Sequence, residues 1–551
     1  MTAHCGSHLR TRRYTINNNV EIPFLFPALS PRRRRPSLFT IISAMGCLFT
    51  TGLLVVGTLL LLLALLVSRF RRCRKPGEPP LDKGLIPWLG HALEFGKDAA
   101  KFLSEMKRKH GDIFTIQAVG KFVTVLLDPH SYDAVLWESH TKLDFGQYAR
   151  ILMDRMFDVK LPDYDPREEK VMLRMTLQNK HLASLTKATF FNLQTILLSD
   201  PNRANWQWKD EGLFHLSYST MFRSGFLTLY GNAGNNYEDA WSQGEDRAYS
   251  LEVYTEFYKL DRLLMKAARN MLSPGEKKEF DAIKKNLWKL LSVKRLNCRV
   301  NQSVWLDSYK QHLVNMGVDE DMQTRAMLLQ LWSTQSNTGP AVFWLLLFLL
   351  KHPSVMAAVR GEIEGIFRTK RQTIGQMQGI SQEILDSTPI FDSVLDETLR
   401  LTAAPFISRE VLQDMSLRLA DGREYSLRKG DRLCLFPFIS PQMDPEIHEE
   451  PEQFKYDRFL NADGTKKTDF YKRGGKLKYY NMPWGAGINV CIGKFLAVNS
   501  MKQCIFLLLS HFDLELKDPN AKIPGFDKER YGFGMLQPDS DVIVQYKRKD
   551  Q

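Results

Sequence analysis

One cysteine, Cys491, lies in a glycine-rich stretch of the sequence, residues 484–493, that leads directly into an apolar run. Glycine tolerates φ > 0 and carries no side chain, so such a stretch can turn tightly and approach a flat group closely. The apolar run at 495–509 predicts a helix, and the free N–H groups at a helix start favour a thiolate. A thiolate presented in this way suits an iron atom, and as an axial ligand it donates electron density to haem iron. The alternative is a buried cysteine in an ordinary turn between a loop and a helix.

A long apolar segment at 327–351 has a polar middle, residues 333–340. A segment that is apolar nearly all round predicts a buried helix. Pro340 has no N–H to offer the carbonyl of Ser336, so we expect a kink and a free acceptor there. Polar groups in a buried helix need partners. Either the segment's own Ser, Thr and Asn side chains supply them, or the kink forms one wall of a ligand pocket.

Charged residues stand out at two further places. Glu397 and Arg400 are spaced i, i+3 on a predicted helix, where an isolated pair would be a surface salt bridge of little energetic value. Arg432 lies in an apolar strand pattern at 430–438, which follows another strand pattern at 405–411. An arginine there is costly unless it is paired, and a carboxylate of a cofactor or substrate would be a suitable bidentate partner. The alternative is an edge arginine in solvent.

Helices must supply most of the scaffold that positions these residues. Residues 114–117 and 122–127 read as two strands joined by a turn, and helical patterns predominate from there to about residue 400. The polar stretch 231–236 predicts a surface loop. The resulting fold class is mainly α with small β-sheets, that is, α+β.

Composition limits the compartments and partners. The 551 residues are 44% hydrophobic and 25% charged, which are globular values. Of the net charge of +13, +11 belongs to residues 1–75, which favours a membrane surface over nucleic acid as the partner. The seven cysteines are scattered and form no C-x-x-C pair, which excludes a disulfide framework or a zinc site and fits a cytosol-facing compartment.

The N-terminal region has the pattern of a membrane anchor. Residues 36–68 carry no charge and exceed the roughly 20 residues that cross a bilayer. The five cations at 69–75 indicate a stop-transfer flank that stays in the cytosol, and they argue against the alternative of a cleaved signal peptide. Four arginines at 32–35 obscure the orientation, and a start at Met45 would remove that conflict. We therefore expect a basic leader at 1–44, a transmembrane anchor at 45–68, a basic and proline-rich hinge at 69–85, and a catalytic domain at 86–551.

Three motifs in this order resemble the cytochrome P-450 superfamily. Glu397–Arg400 matches its E-x-x-R helix, and residues 454–459 look like its aromatic-Arg segment, with Arg458 as the arginine. Residues 484–493 are similar to its haem loop, F-x-x-G-x-x-x-C-x-G, with Trp484 in the Phe position. The resemblance runs from about Pro76 to the C-terminus. It implies the cytochrome P-450 fold, a structural network of Glu397, Arg400 and Arg458, and haem b with Cys491 as the axial ligand of its iron. The haem-loop residues so implied are Trp484, Gly485, Gly487, Cys491 and Gly493.

The superfamily usually delivers protons to bound dioxygen through an acid–alcohol pair in the kinked helix. Here Asn337 stands in the place of the acid, and an amide donates hydrogen bonds but is no general acid near neutral pH. This favours a substrate that brings its own oxygen–oxygen bond. Sterol hydroxylases with a similar Asn-Thr-x-Pro segment still hydroxylate, so the missing acid does not decide the reaction. Asn489 occupies the position of a common propionate partner, so other donors must hold the propionates.

Local matches at 128–135, 157–162 and 496–500 resemble the branch of the superfamily that isomerises prostaglandin H2, an endoperoxide, to prostacyclin. They imply an isomerase with Cys491 and Asn337 as catalytic residues and no obligate reductase, in the endoplasmic reticulum membrane with one span and a cytosolic catalytic domain. The alternatives are a monooxygenase similar to sterol 12α-hydroxylases, with an NADPH-dependent reductase, and a haem-binding protein without turnover. The implied substrate contacts are Arg155, Leu161, Asn337, Ser408, Arg409 and Arg432.

Overall fold

The computed structural model describes residues 52–63, 72–162, 164–199, 207–369 and 380–549. The chain divides into two compact units, 1–69 and 70–551. In the first unit, the described part of the expected anchor forms helix α1, Gly52–Leu63, which is apolar. Over the described ranges no single helix has both the length and the hydropathy of a membrane span, although Glu320–Lys351 and Pro353–Thr369 reach them as a pair bent by 110°. The expected leader, 1–44, lies outside the described residues.

The second unit is mainly helical, with small sheets. Its strands are β1 Leu81–Asp82, β2 Ile113–Ala118, β3 Lys121–Leu126, β4 Leu143–Asp144, β5 Lys209–Gly212, β6 Ile407–Val411, β7 Met415–Arg418, β8 Glu424–Leu427, β9 Arg432–Leu435, β10 Tyr471–Lys472, β11 Gly475–Lys476, β12 Phe512–Leu516 and β13 Ile543–Arg548. Its helices are α2 Ala92–Lys97, α3 Ala99–His110, α4 Asp133–Leu136, α5 Gly146–Phe157, α6 Pro166–Thr176, α7 Lys180–Leu197, α8 Leu213–Tyr230, α9 Ala240–Ala268, α10 Pro274–Leu290, α11 Val293–Asn297, α12 Val304–Asn315, α13 Glu320–Gln335, α14 Thr338–Lys351, α15 Pro353–Thr369, α16 Gln382–Leu385, α17 Pro389–Thr402 and α18 Lys494–His511.

The largest described sheet has the strand order β1-β2-β3-β9-β6-β4. The predicted strands at 114–117 and 122–127 are confirmed as the antiparallel pair β2 and β3, and those predicted at 405–411 and 430–438 are confirmed as β6 and β9. Strand β9 lies between β3 and β6, so Arg432 does not occupy the sheet edge that one interpretation of the sequence gave it. The sheet thereby fixes Ser408 and Arg409, which pair with Cys434 and Leu433 of β9.

The core is built around α8 and α14, whose residues are almost all buried. The two helices come so close that a Cβ at Gly339 would collide with the ring of Tyr218. The predicted kink is confirmed as a break at 336–337 between α13 and α14. It falls at Ser336, the residue whose carbonyl Pro340 cannot satisfy. Helix α13 begins at Glu320, earlier than the expected 327, because Asp319 caps it by accepting a bond from the Met322 N–H, at 2.8 Å.

Helices predominate in this region as predicted, but it also contains strand β5 and a loop that is only partly exposed. Lys209–Gly212 is a strand, β5, because it pairs with β13 near the C-terminus, a partner that no local pattern indicates. The stretch 231–236 is a loop as predicted and its residues 235–236 are exposed, but Asn232 is buried. Its amide nitrogen donates to Asn192 and to Asp246, each at 2.8 Å, so both of its hydrogens have partners inside the protein.

The segment expected to be a hinge is bonded to the folded unit. Leu81–Asp82 pairs in parallel with β2, so the sheet starts before the expected boundary at 86. Upstream of it, Arg72 pairs with Asp431 at 2.5 Å, and Glu78 accepts two hydrogen bonds from Arg428. This part of the chain is therefore an arm fixed by ion pairs.

A buried carboxylate, that of Glu397, joins α17 to the segment at 449–459. Arg400 donates to its two oxygens at 2.7 and 2.9 Å, and Arg458 donates to both at 2.9 and 3.0 Å. Arg458 also donates to the carbonyl of Glu449 at 2.7 Å, and Arg400 to that of Gln442 at 2.6 Å. Glu397 and Arg400 are fully buried, so each charge depends on the others.

Replacing Glu397 by Ala should be strongly destabilising, because it leaves two buried guanidinium groups without a counter-charge. We expect a loss of about 3–5 kcal/mol in the free energy of unfolding, measured by denaturant titration. Asp396→Ala is the matched control on the same helix, since it removes only the partly exposed ion pair with Lys466 and should cost about 1 kcal/mol or less. Equal losses in both variants would contradict the structural role of Glu397.

Candidate functional site

Cys491 lies on a tight turn just before α18. Its N–H donates to the carbonyl of Trp484 at 2.9 Å, which closes the glycine-rich stretch into a loop. Gly487 has φ +65°, and a Cβ there would lie 2.9 Å from the carbonyl oxygen of Leu136, so both its conformation and its contact require glycine. The loop thus packs on α4 through Gly487, while Cys491 lines a cavity.

The electrostatic setting of Cys491 differs in part from the sequence expectation. Burial raises the pKa of the thiol, while the N–H groups of Gly493 and Lys494 and the ammonium of Lys170 act against that rise. The N–H groups at the start of α18 therefore lower the pKa of the thiol as expected, but burial raises it by more. The thiol borders a cavity, which explains why it is accessible although protein surrounds it elsewhere. A cation bound to the sulfur is the kind of partner that restores a thiolate in such surroundings.

The cavity has a volume of about 610 Å³ and lies between the cysteine loop, α6, α8, the break between α13 and α14, and β6. The predicted site residues that line it are Asn337, Ser408, Arg409, Trp484, Gly485, Cys491 and Gly493. The structure therefore brings the thiol and the polar break of the long helix to one chamber.

The side chain of Asn337 has a defined orientation in this chamber. Its oxygen Oδ1 accepts a hydrogen bond from the Met535 N–H at 2.9 Å. Its nitrogen Nδ2 lies within 3.3 Å of the hydroxyl of Ser336. Because an amide nitrogen carries two hydrogens, one N–H remains for a ligand in the cavity.

Two cations with unmet hydrogen-bonding capacity border the cavity. Arg409 is 4% exposed, and although one of its terminal nitrogens donates to the Ser408 carbonyl at 2.8 Å, the other has no partner among the described residues. Lys170 of α6 donates to the carbonyl of Ile488 at 2.6 Å, and burial lowers its pKa to about 8. Two cations that border the same cavity as the thiol form a site for an anion such as a carboxylate.

Four predicted residues do not line the cavity. Arg155 is exposed on α5 and donates to the carbonyl of Ala268, and Leu161 packs on the main core. Gly487 contacts α4 instead. Arg432 stacks on Tyr148 at 4.3 Å, and its Nε lies 3.9 Å from the Glu410 carboxylate without a hydrogen bond.

Sequence reasoning missed the residues that α6 contributes. Glu169, Lys170 and Leu173 all line the cavity, at the i, i+1 and i+4 spacing of one helix face. That spacing is visible in the sequence, but the alternation of charges in the segment resembles a solvated helix surface.

Comparison with known proteins agrees with this arrangement. The sequence profile of the family described as Cytochrome P450 matches residues 285–544. Prostacyclin synthase of Homo sapiens is 57% identical over 476 residues, which cover 86% of this chain and 95% of the relative, and that of Bos taurus is 58% identical over 474 residues with the same coverage. The 7-alpha-hydroxycholest-4-en-3-one 12-alpha-hydroxylase of Oryctolagus cuniculus is 40% identical over 499 residues, 90% of this chain and 98% of the relative. The mixed helical fold, the cavity over Cys491 and these similarities lead to one conclusion: the chain belongs to the cytochrome P450 family.

Proposed function

We propose that the protein is a haem-thiolate isomerase that converts prostaglandin H2 to prostacyclin without external reductant or dioxygen. The observation that carries the proposal is the identity of 56–58% to prostacyclin synthases of three mammals, compared with 39–40% to the 12-alpha-hydroxylases. The amide of Asn337 in the cavity supports the same reaction class, because it offers a hydrogen bond but no acidic proton.

The residues around the cavity fit haem b. Cys491 is the thiol on the cavity wall, and the flat face of a macrocycle can rest on the loop formed by Trp484, Gly485 and Gly493. The unpaired guanidinium nitrogen of Arg409 and the ammonium of Lys170 suit carboxylates such as the haem propionates. Lys170 interacts electrostatically with both Cys491 and Arg409, which favours the propionates over the substrate as the partner of Arg409.

When bound, the haem supplies a ferric iron that can cleave a peroxide bond homolytically, with electron density donated by the Cys491 sulfur. The chain's own part is to position the substrate. The free N–H of Asn337 donates to one oxygen of the endoperoxide, and the bond from Met535 holds that amide in place. The remaining wall of the cavity is largely apolar and excludes water from a lipid.

The same proposal includes an anchor in the endoplasmic reticulum membrane, with residues 45–68 as a single span and the catalytic domain in the cytosol. The uncharged stretch at 36–68 and the cations that follow it support this topology. An apolar substrate can then enter the protein from the bilayer.

The reaction class can be tested with purified holoenzyme and prostaglandin H2 under labelled dioxygen. We expect prostacyclin without NADPH or reductase, and no label in the product. Cys491→Ala should abolish both turnover and the absorbance band that is typical of the carbon-monoxide complex of reduced, thiolate-ligated haem. A strict requirement for NADPH and reductase, with labelled oxygen in a sterol product, would establish a hydroxylase instead.

Asn337→Ala should slow endoperoxide turnover by about 10- to 10³-fold, because it removes one hydrogen bond from a positioned reacting oxygen. Haem content should be unchanged. Asn337→Asp is the matched variant, since it keeps an acceptor for the Met535 N–H but loses the N–H donor. If the Asp variant turns over at the wild-type rate, Asn337 serves only to hold the loop at Met535.

A variant that begins at Phe70 should lose integral membrane association and keep its haem, because the compact catalytic unit starts at that residue. Alkaline carbonate extraction and the haem spectrum measure the two properties. A variant that begins at Lys75 also lacks Arg72 and its ion pair with Asp431, so it should unfold at a lower temperature. Loss of haem from the Phe70 variant would show that the anchor is part of the fold.

A further inference from the structure

A half-buried carboxyl group, that of Glu169 on α6, borders the cavity and has no part in the mechanism described above. The Nε2 of Gln330 on α13 donates to its Oε1 at 3.2 Å. Within the described ranges its second oxygen, Oε2, accepts no hydrogen bond from the protein. A carboxyl group without a cation is costly to bury, so its presence calls for a partner.

Three serine and threonine hydroxyls in this part of the cavity already donate within the protein. The hydroxyl of Ser224 donates to the Thr220 carbonyl and that of Thr228 to the Ser224 carbonyl, both at 2.8 Å within α8. Ser333 donates to the Gln330 carbonyl at 3.0 Å. Glu169, by contrast, lines the cavity with one carboxyl oxygen that Gln330 does not bond.

The chemistry of Glu169 selects the kind of ligand group. Burial raises the pKa of Glu169 to about 7, so a large fraction of the carboxyl is protonated at neutral pH. A neutral carboxyl both donates and accepts, as an alcohol does, so the two groups can form a pair of hydrogen bonds. A carboxylate from the ligand would be repelled by the ionised fraction.

We propose that Glu169, held by Gln330, is a specificity-determining residue that binds an uncharged hydroxyl group of the lipid substrate. This inference rests on the proposed function and extends it, because it names a hydroxylated lipid endoperoxide as the preferred substrate. It also assigns the substrate's hydroxyl-bearing part to the end of the cavity between α6 and α13.

The test compares two stable analogues of prostaglandin H2 in which the peroxide oxygens are replaced, one with the side-chain hydroxyl and one without it. Binding to the holoenzyme is followed by the change in haem absorbance, and turnover of prostaglandin H2 is measured in parallel. Wild type should bind the hydroxylated analogue about tenfold more tightly. Glu169→Leu should reduce this ratio to about one, and Glu169→Gln, which still donates and accepts, should retain most of it.

Glu168→Gln is the matched control, because it alters the exposed carboxyl next in the sequence and should leave the ratio unchanged. Glu169→Met, with a more flexible side chain, replaces the Leu variant if that variant does not fold. A ratio near one in wild type, or an equal loss of affinity for both analogues in the variants, overturns the inference. If wild type also fails to isomerise prostaglandin H2, the proposed function falls; if it isomerises the endoperoxide normally, only the role of Glu169 falls.

Discussion

The catalytic unit depends on one buried carboxylate that pairs with two arginines. Glu397 is fully buried, and Arg400 and Arg458 approach it from α17 and from the segment that precedes the cysteine loop. Such a cluster is stable only when all members are present, because each charge alone would cost several kcal/mol to bury. The guanidinium groups extend the connection to the carbonyls of Gln442 and Glu449. This charge network thereby fixes the segment at 449–459, which forms neither a helix nor a strand.

The wall of the cavity that carries Asn337 depends on the break between α13 and α14. Pro340 cannot donate to Ser336, and the helix breaks there into α13 and α14. A regular helix at this point would pair the Ser336 carbonyl with the N–H of residue 340. The break instead presents Asn337 beside Ser336, and α8 keeps α14 in position through the close contact at Gly339. The geometry of the site is thus rigid on both sides.

Two features of the site that the sequence indicated, the cysteine turn and the helix break, depend on only a few neighbouring residues. The glycine turn before Cys491 and the proline break at Asn337 follow from backbone rules that act over a few residues. Arg432 could not be placed in this way, because its neighbours Tyr148 and Glu410 come from other elements of the fold. Strand β5 escaped detection for the same reason, since its partner β13 lies near the other end of the chain. Glu169 and Lys170 were missed because charged helix residues normally indicate a solvated face, and only the packing of α6 turns that face inward.

The hydrogen bond between Met535 and Asn337 has a consequence for exchanging parts between relatives. The two residues are 198 positions apart, and the loop that carries Met535 is itself bonded to Ala404 through Gly532 and Gly534. The direction of the reactive amide is therefore encoded in three separate regions of the chain. A chimera that received only the broken helix would inherit the amide but not its orientation. Transfer of this chemistry to another scaffold requires the C-terminal loop and its support after α17 as one inseparable module.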